Sequence, residues 1–494
     1  MRLEALFEGM TLIRKINWVS QKNLGKITSD SRAIEKGDVF VACSGSRMDG
    51  HDFLMQAVHA EAAVLVFERM PEDLVIPPGV TGIQVPNSHA CLTELLHRHY
   101  HHPDQHVRLI GTTGTNGKTT ISYLLQKLLS KKGPAAYLGT LWYDLSTKKL
   151  PAPNTTPGPE TLVPMLDEMR RVNVRYCVME VSSHALHQSR VHGLQFDLAI
   201  FTQLTQDHMD YHQDLEQYYE AKRLLFSAHP QPRRSLINLD CPYGQRLLEE
   251  FPSARSFSLV QEADYWAKDI DASFKGSSFK FCYKNREVPI QMKLPLRHNV
   301  ANALCVLGGL ELLGYDPADF REDFAEIPGI PGRLERITPS GDLNVFVDYA
   351  HTPDAFDNVL REARKYAPAR IITVFGCGGD RDRAKRPLMT QSACRYSDLV
   401  VLTSDNPRSE DPESILQDMK KGLPVGDSVC RAQEILDRER AIHEAISLAE
   451  PGDVVMILGK GHEDYQILGD RKIPFDDRIV AREALQRKAR VFLS

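Results

Sequence analysis

A glycine-rich turn that ends in Lys-Thr follows an apolar stretch near residue 110. Residues 107–120 have the sequence VRLIGTTGTNGKTT. Gly114 and Gly117 allow the backbone to turn its N–H groups towards phosphate oxygens, and Lys118 can reach the β- and γ-phosphates of a nucleotide. Thr119 can place its hydroxyl on Mg²⁺, and the apolar run that follows predicts a helix whose N-terminus faces the anion. Although a strict P-loop has glycine where this chain has Thr112, the pattern predicts a nucleoside triphosphate site.

An acid and a histidine follow two later strand signals. Glu180 ends the apolar run 176–180, and His208 comes shortly after the run 198–202. Beside a phosphate-binding loop, a carboxylate oxygen and a neutral imidazole are suited to hold Mg²⁺ near the γ-phosphate. The alternative is a buried Glu–His pair whose members satisfy each other. The phosphate-binding loop favours the metal-binding interpretation.

Four polar loops follow four apolar strand signals in the last third of the chain. Ligands of open α/β sheets bind outside the carboxyl ends of the strands, so these loops predict a single cleft. The GxGG pattern at 376–379 lacks the rest of a dinucleotide fingerprint, and a nicotinamide site is therefore not expected. The strand signals are residues 345–347, 371–375, 399–402 and 454–458, and the loops are residues 348–354, 376–382, 404–408 and 459–463.

Two of these loops carry charges that suit a charged substrate. Arg408 ends a proline turn, and a guanidinium there can hold a carboxylate by two parallel hydrogen bonds. An ordinary surface turn is an alternative of equal weight for that segment. The loop before it is too charged to be buried without partners, and its residues are Asp380, Arg381, Asp382, Arg383, Lys385 and Arg386.

The composition is that of an ordinary globular protein. The chain has 494 residues, 42% of them hydrophobic and 25% charged, with a net charge of −5. This balance excludes non-specific binding to nucleic acid, and no apolar run is long enough for membrane insertion. Nine cysteines without a CxxC pair predict reduced thiols in a cytoplasmic protein. Acids within the first ten residues argue against a signal peptide.

Two segments are predicted to be solvated. Residues 97–106, HRHYHHPDQH, are rich in histidine but lack an ordered ligand spacing. We expect them to be a solvated helix end and linker rather than a metal site. Lys222 lies in the amphipathic pattern at 218–226, and periodicity alone predicts a solvated side chain for it.

The predicted fold class is α/β with three domains. Residues 1–103 form a small N-terminal α/β domain, because two apolar strand signals flank a helical pattern there. Residues 104–332 alternate strands and helices, which predicts a P-loop mononucleotide-binding domain with a parallel sheet. Residues 333–494 repeat that alternation and predict a Rossmann-like α/β domain. The Pro- and Gly-rich segment 328–332 has the composition of a hinge between the last two domains.

Assembled in order, these motifs resemble those of the Mur ligases, the ATP-dependent amide-forming ligases that build the peptidoglycan stem peptide. The similarity spans essentially the whole chain, and the ordered set is far more specific than any one motif. The motifs are 30–32 (DSR), 114–119 (GTNGKT), 154–157 (NTTP), 180–184 (EVSSH), 207–208 (DH), 221–222 (AK) before 225–226 (LF), 298–299 (HN) before Asn302, 332–333 (GR), 348–351 (DYAH), 378–381 (GGDR), 405–408 (DNPR) and 459–463 (GKGHE).

The resemblance implies a role for each matching residue. The N-terminal domain would bind the UDP end of the substrate with Ser29, Ser31, Ser46, Arg47 and Met48. The muramoyl-dipeptide would contact Asn154, Thr155, Thr156, Ser182, Gln188 and Arg190. ATP would contact Gly114, Thr115, Asn116, Gly117, Lys118, Thr119, Thr120, Asn299, Arg333, Asp348 and His351. The amino-acid pocket would contain Arg381, Asp405, Asn406, Pro407, Arg408, Gly459 and Glu463.

The resemblance also implies the metal site. Two Mg²⁺ ions would be held by Thr119, Glu180, His208 and carbamoylated Lys222. For Lys222, the resemblance therefore implies a metal ligand, whereas periodicity alone predicts a solvated side chain. Lys118, Glu180, His208 and Lys222 would thus carry the catalysis.

The implied reaction adds meso-diaminopimelate to the γ-carboxylate of UDP-MurNAc-L-Ala-D-Glu through an acyl phosphate, with ATP as substrate. In this family DNPR marks diaminopimelate over L-lysine, because Arg408 can bind a distal carboxylate that lysine lacks. A bacterial cytoplasmic monomer is expected. The lysine-adding ligase is the nearer alternative, folylpolyglutamate synthetase is disfavoured by the N-terminal domain and DNPR, and a P-loop regulatory NTPase is the alternative from another class.

Overall fold

Three α/β regions follow one another along the chain in this computed structural model. It describes residues 2–20, 22–45, 48–72, 74–209, 211–227, 229–338, 343–424, 426 and 430–493. Each region has its own main sheet, so the predicted α/β class with a three-domain arrangement is confirmed. No helix among these described residues combines the length and apolar character that crossing a bilayer requires.

The first region contains a five-stranded sheet in the order β1-β5-β4-β3-β2. Strands β2 to β5 pair in parallel, and β1 runs antiparallel to β5 at the edge. The elements are α1 (Leu3–Phe7), β1 (Arg14–Ile16), β2 (Ile27–Thr28), β3 (Val39–Val41), α2 (Leu54–His59), β4 (Val64–Phe67), β5 (Thr81–Gln84) and α3 (Ser88–His99), with 3-10 turns at Ser31–Ala33 and Gly50–Phe53.

The second region is built on an eleven-stranded sheet. After a 3-10 turn at Pro103–His106 it contains β6 (Arg108–Thr113), α4 (Lys118–Leu129), β7 (Ala135–Leu138), β8 (Tyr143–Asp144), β9 (Lys149–Leu150), α5 (Pro159–Arg171), β10 (Tyr176–Glu180), α6 (Ser183–His187), β11 (Phe196–Phe201), α7 (Leu215–Ser227), β12 (Ser235–Asn238), α8 (Pro242–Glu250), β13 (Arg255–Ser258), β14 (Tyr265–Ser273), β15 (Gly276–Tyr283), β16 (Arg286–Met292) and α9 (Arg297–Leu312), followed by a 3-10 turn at Pro317–Phe320 and α10 (Arg321–Glu326).

The phosphate-loop strand β6 lies at the centre of that sheet, between β10 and β11. Its side chains alternate between two apolar layers, with Leu109 in one layer and Ile110 in the other. Burial on both faces is typical of a central parallel strand. The sheet is also larger than expected, because β14, β15 and β16 extend it as an antiparallel meander.

The third region contains a six-stranded sheet in the order β17-β18-β22-β19-β20-β21. The four predicted strands β18, β22, β19 and β20 are adjacent and parallel, so their polar loops share one edge, as expected. The elements are β17 (Glu335–Arg336), β18 (Asn344–Asp348), α11 (Pro353–Tyr366), β19 (Ile371–Phe375), α12 (Lys385–Tyr396), β20 (Leu399–Leu402), α13 (Pro412–Lys420), β21 (Arg431–Glu434), α14 (Arg438–Leu448), β22 (Val454–Leu458), β23 (Tyr465–Leu468), β24 (Arg471–Pro474) and α15 (Asp477–Leu493).

Helix α11 shows how local sequence sets these elements. Thr352 caps its N-terminus by accepting a hydrogen bond from the backbone N–H of Ala355, and Pro353 occupies the first turn, where no N–H is needed. Phe356, Leu360 and Ala363 are buried at helical spacing. The helix therefore packs its apolar face on the sheet and holds the loop after β18 in place.

The prediction of a solvated linker at residues 97–106 is wrong. His97 and Asp104 are only 2% and 5% exposed, because the chain folds back after α3 and packs the 3-10 turn against α5. The periodicity argument for Lys222 is also wrong, since this side chain is 1% exposed.

Candidate active site

The phosphate loop connects β6 to α4 in the strand–loop–helix order that the sequence predicts. Gly114 and Gly117 have φ angles of +143° and +88°, in the region that favours glycine. A Cβ on Gly114 would lie 1.8 Å from Thr202 Oγ1, so a larger residue does not fit. The loop is fixed by Thr202, whose hydroxyl donates to Asn116 O at 2.6 Å.

Two lysines, Lys118 on α4 and Lys222 on α7, donate hydrogen bonds to this loop. In the described part of the chain, neither of them donates a hydrogen bond to a carboxylate. Lys118 Nζ donates to Gly114 O and Thr115 O at 2.8 and 2.9 Å, and Lys222 Nζ donates to Gly114 O at 3.0 Å. Burial lowers the pKa of both amines, and Lys118 further lowers that of Lys222. The loop therefore offers the Lys118 amine to an anionic ligand.

Glu180 lies across from these amines at the end of β10. Its carboxylate accepts hydrogen bonds from Thr119 Oγ1 at 2.9 Å, Tyr137 OH at 2.6 Å, and the backbone N–H and hydroxyl of Thr140 at 2.9 and 3.0 Å. His208, with φ +56°, lies on the loop after β11 and lines the same cleft. Glu180 is therefore oriented by hydroxyls and an N–H, which leaves its charge available to a cation.

The C-terminal region completes the cleft. Arg333 Nη2 donates to Thr119 Oγ1 at 3.0 Å, so this guanidinium reaches the phosphate loop from the far side. Among the described residues, the buried Nε of Arg333 has no hydrogen-bond partner. Asp348 accepts from the backbone N–H groups of Leu334 and Ala350 at 2.6 and 2.7 Å, and burial raises its pKa.

The predicted ATP and metal ligands converge here. The cleft has a volume of about 620 Å³, enough for a nucleotide. Its lining includes Thr115, Asn116, Gly117, Lys118, Thr119, Thr120, Glu180, His208, Lys222, Asn299, Arg333, Asp348 and His351.

The residues predicted to bind the muramoyl-dipeptide extend from this cleft. Thr155 and Ser182 line it, and Thr156 Oγ1 donates to Glu180 O at 2.8 Å. Arg190 donates to Thr156 O at 2.9 Å and to Gln188 Oε1 at 2.7 Å, and burial lowers its pKa. The main-chain oxygen of Asn154 accepts from Tyr143 OH. This group therefore forms one connected polar wall beside Glu180.

The residues predicted to bind UDP lie in the first region. Ser29 donates from its N–H and hydroxyl to the carboxylate of Glu160, at 2.9 and 2.5 Å, which joins the first region to α5. Ser31 begins a 3-10 turn, and Met48 is 65% exposed. Ser46 and Arg47 lie outside the described residues.

The predicted amino-acid pocket surrounds a buried lysine that the sequence analysis did not assign. Lys460 is fully buried, and its Nζ lies 3.1 Å from Glu463 Oε2, 3.3 Å from Asn406 Oδ1 and 3.5 Å from Asp405 Oδ1. Asn406 in turn donates to Glu463 at 2.9 Å. The position of Lys460 inside the GKGHE motif was the sequence feature that could have indicated its place in this pocket.

Arg408 and the glycine loop after β19 face each other across this pocket. Arg408 has φ +54°, and its Nη1 donates to Gly379 O at 2.7 Å. Gly459, with φ +115°, approaches Asp405 closely enough that a Cβ would lie 3.3 Å from Oδ2. Pro407 directly precedes Arg408 in the chain, and the nearby Arg381 is exposed.

The expectation that Arg383 and Arg386 serve a charged substrate is wrong. Arg386 is fully buried and donates to Glu410 at 2.8 Å and Asp418 at 3.0 Å. Arg383 donates to the same Asp418 at 2.8 Å. These guanidiniums are neutralised within the protein and hold α12 against α13.

Models of three domain families match this chain in sequence order. They are the Mur ligase family catalytic domain at 24–100, the Mur ligase middle domain at 112–309 and the Mur ligase glutamate ligase domain at 332–461.

Curated relatives are similar over nearly the full length. The UDP-N-acetylmuramoyl-L-alanyl-D-glutamate--2,6-diaminopimelate ligase of Synechocystis sp. is 43% identical over 95% of both chains. The protein of that name from Geobacillus thermodenitrificans is 42% identical, covering 93% of this chain and 94% of its own. A solved structure of a ligase with that name aligns at a TM-score of 0.69 and 31% identity, over 99% of each chain.

Proposed function

This chain belongs to the Mur ligase family, and on that premise we propose that it joins 2,6-diaminopimelate to UDP-N-acetylmuramoyl-L-alanyl-D-glutamate at the expense of ATP. The activity is that of a ligase that forms a C–N bond in peptidoglycan precursor synthesis. The observation that carries the proposal is the cleft in which a phosphate loop, the half-buried Lys118, the buried Lys222 and the C-terminal Arg333 face one another.

ATP is the substrate that this cleft fits. Phosphates would neutralise Lys118, and the unpartnered Nε of Arg333 would donate to them. Asp348, which two backbone N–H groups orient, and Asn299 supply polar groups for the rest of the nucleotide. Because Arg333 and Asp348 belong to the C-terminal region, nucleotide binding would hold two regions together.

Mg²⁺ fits the residues opposite the lysines. Thr119 Oγ1 and Glu180 Oε2 are 2.9 Å apart and offer the hard oxygen ligands that this ion prefers, and His208 lines the same cleft. We propose that Thr119, Glu180, His208 and carbamoylated Lys222 hold two Mg²⁺ ions. When bound, these ions would neutralise charge that develops on the transferred phosphoryl group.

Carbamoylation of Lys222 is supported by its surroundings. The uncharged amine adds to CO₂, forms a C–N bond and releases one proton, so the reaction needs a lysine that is neutral near pH 7. Burial lowers the pKa of Lys222 well below its usual value, which favours that form. The unmodified amine contacts Gly114 O at 3.0 Å, so the product would carry its negative charge beside the phosphate loop.

The proposed reaction has two steps. An oxygen of the D-glutamyl γ-carboxylate attacks the γ-phosphorus of ATP, and the bond to the bridging oxygen breaks to release ADP. The amine of the acceptor then attacks the acyl phosphate, and phosphate leaves with its bonding electrons. Lys118 is placed to stabilise the negative charge in the first step, while the wall from Thr155 to Arg190 orients the dipeptide.

The amino-acid acceptor would bind around Asn406. Asp405 Oδ1 lies 3.5 Å from Lys460 Nζ, so Lys460 would hold this carboxylate in position beside the acceptor. Arg408 would bind the distal carboxylate of diaminopimelate, which L-lysine lacks. The meso isomer, a monomeric state and a cytoplasmic location are further parts of this proposal, the last supported by nine free cysteines.

One assay tests the proposal against its alternatives. Phosphate release from ATP is measured with the UDP-muramoyl-dipeptide and either meso-diaminopimelate, L-lysine or no acceptor. We expect release only with diaminopimelate. Equal release in all three would support a regulatory NTPase and overturn the ligase, whereas release only with lysine would overturn diaminopimelate as the acceptor and the role of Arg408.

A further inference from the structure

The histidine-rich turn after α3 brings two imidazoles and a carboxylate together. His101 and His102 have φ angles of +57° and +50°, so the chain reverses direction directly after the helix. The backbone N–H of His102 donates to His97 O at 2.7 Å, which closes the turn. The 3-10 turn at Pro103–His106 then places Asp104 beside His97.

The spacing of these groups suits a metal ion. One ligand atom from each of His97, His102 and Asp104 lies within 4.8 Å of the others, and His97 Nδ1 is 3.1 Å from Asp104 Oδ1. Ligands about 2.0–2.2 Å from a common ion are separated by roughly 3.0–3.4 Å. The His97–Asp104 pair already has that separation, and His102 needs only a modest side-chain movement.

Burial makes the cluster more than a surface group of histidines. His97 and Asp104 are almost completely buried, while His102 is half-buried and gives access from solvent. Nε2 of His97 is buried and has no hydrogen-bond partner among the described residues. Nδ1 of His97 faces Asp104 Oδ1, so an ion bound between these two atoms would take the place of their hydrogen bond.

We propose that His97, His102 and Asp104 bind one Zn²⁺-like transition-metal ion. Two imidazoles and one carboxylate are a common ligand set for Zn²⁺, whereas the ligands of Mg²⁺ are predominantly oxygen atoms. The residues lie outside the set that lines the nucleotide cleft, so the ion is structural. It fixes the turn between α3, which ends at His99, and β6, which begins at Arg108, at the junction of the first region and the phosphate-loop strand.

Zn²⁺ titration of the full-length chain tests this site. The protein is stripped with a chelator and saturated with Mg²⁺ and ADP, so that the nucleotide cleft is occupied. Zn²⁺ is then added in competition with a chromophoric chelator, and thermal unfolding is followed in parallel. We expect one tightly bound equivalent and a rise in the unfolding temperature. Absence of that equivalent overturns the proposal.

Two matched variants locate the bound ion. His102→Asn should weaken Zn²⁺ binding at least about tenfold, since it removes a ligand while keeping a residue type that tolerates positive φ. His101→Asn changes the exposed neighbouring histidine at a similar φ and should leave binding unchanged. Equal binding by wild type and His102→Asn, or loss in His101→Asn alone, would show an adventitious surface site and overturn the proposal.

Asp104→Asn provides an independent check. It keeps the side-chain shape and removes the carboxylate charge, so Zn²⁺ affinity should fall at least about tenfold while the protein without Zn²⁺ remains folded in circular dichroism. Unchanged Zn²⁺ affinity in this variant would remove Asp104 from the site and contradict the ligand set.

Discussion

The nucleotide cleft and the Lys460 pocket both contain buried lysines, but the two regions balance charge in opposite ways. Lys118 and Lys222 donate hydrogen bonds to backbone carbonyl oxygens, whereas Lys460 lies within 3.5 Å of two carboxylates. The cleft therefore has positive charge to share with an anionic ligand. The pocket is already neutralised, and its lysine holds acceptor-binding groups in position.

This difference predicts that lysine substitutions will affect activity in one region and stability in the other. In the cleft, a lost lysine removes a group that acts on ligands. In the pocket, a lost lysine leaves carboxylates buried without a cation.

Lys222→Ala should have the largest effect. We expect phosphate release in the full assay to fall about 10³-fold, since a charged ligand of the transferred phosphoryl site is lost. Short carboxylates such as acetate should restore part of the activity by occupying the space of the carbamate. Lys127→Ala, at an exposed position on α4, is the control. Full activity of Lys222→Ala would exclude this lysine from the mechanism.

Lys460→Met should chiefly affect folding. Removing the cation between Asp405 and Glu463 should lower the free energy of unfolding by about 3 kcal/mol, measured by chemical denaturation. Lys421→Met removes an exposed cation from Asp418, which Arg383 and Arg386 still neutralise, and should cost less than about 1 kcal/mol. Equal losses in the two variants would contradict the structural role of Lys460.

Arg408→Lys should change acceptor choice. Lysine retains the positive charge and the same backbone strain, but it cannot form two parallel hydrogen bonds to a carboxylate. We expect kcat/KM for diaminopimelate to fall about 10- to 100-fold while that for L-lysine is unchanged. Arg383→Lys, outside the pocket, is the control. An equal loss for both acceptors would show that Arg408 acts through folding alone.

The smallest effect is expected for the pH dependence of stability that His462 causes. This residue lies where the nucleotide cleft and the Lys460 pocket meet. Its ring lies 5.2 Å from that of Tyr349, and burial lowers its pKa to about 4. The unfolded chain therefore binds the extra proton between pH 6.5 and about 4, so stability falls as the pH drops through this window. From pH 7 to pH 5 we expect a loss of about 1–2 kcal/mol, and His462→Gln should lose less. A pH dependence identical in both proteins would contradict this assignment.

Much of the cleft could be predicted because its motifs are local. The phosphate loop is a contiguous strand, turn and helix start, so residues 108–129 carry the information themselves. The four parallel strands of the last region were equally visible as short apolar runs that end in polar loops. The binding roles assigned to individual residues stay predictions until ligands are tested.

Other features depended on contacts between distant segments. The meander from β14 to β16 was not predicted, although buried residues alternate along β15 and β16. Arg386 was misassigned because its partners Glu410 and Asp418 lie more than twenty residues away. Residues 97–106 were expected to be solvated, since composition cannot show that the chain reverses direction and buries two of them.

The sequence by itself determined the three-part α/β order, the phosphate loop and the family, because each depends on residue types at short spacing. Only the tertiary structure decided which charges face ligands and which are neutralised inside the protein. That outcome depends on burial and on partners from other strands and helices. Tertiary packing therefore decides that Lys222, Lys460 and His97 are buried and which groups surround them. Their neighbours in sequence do not decide this.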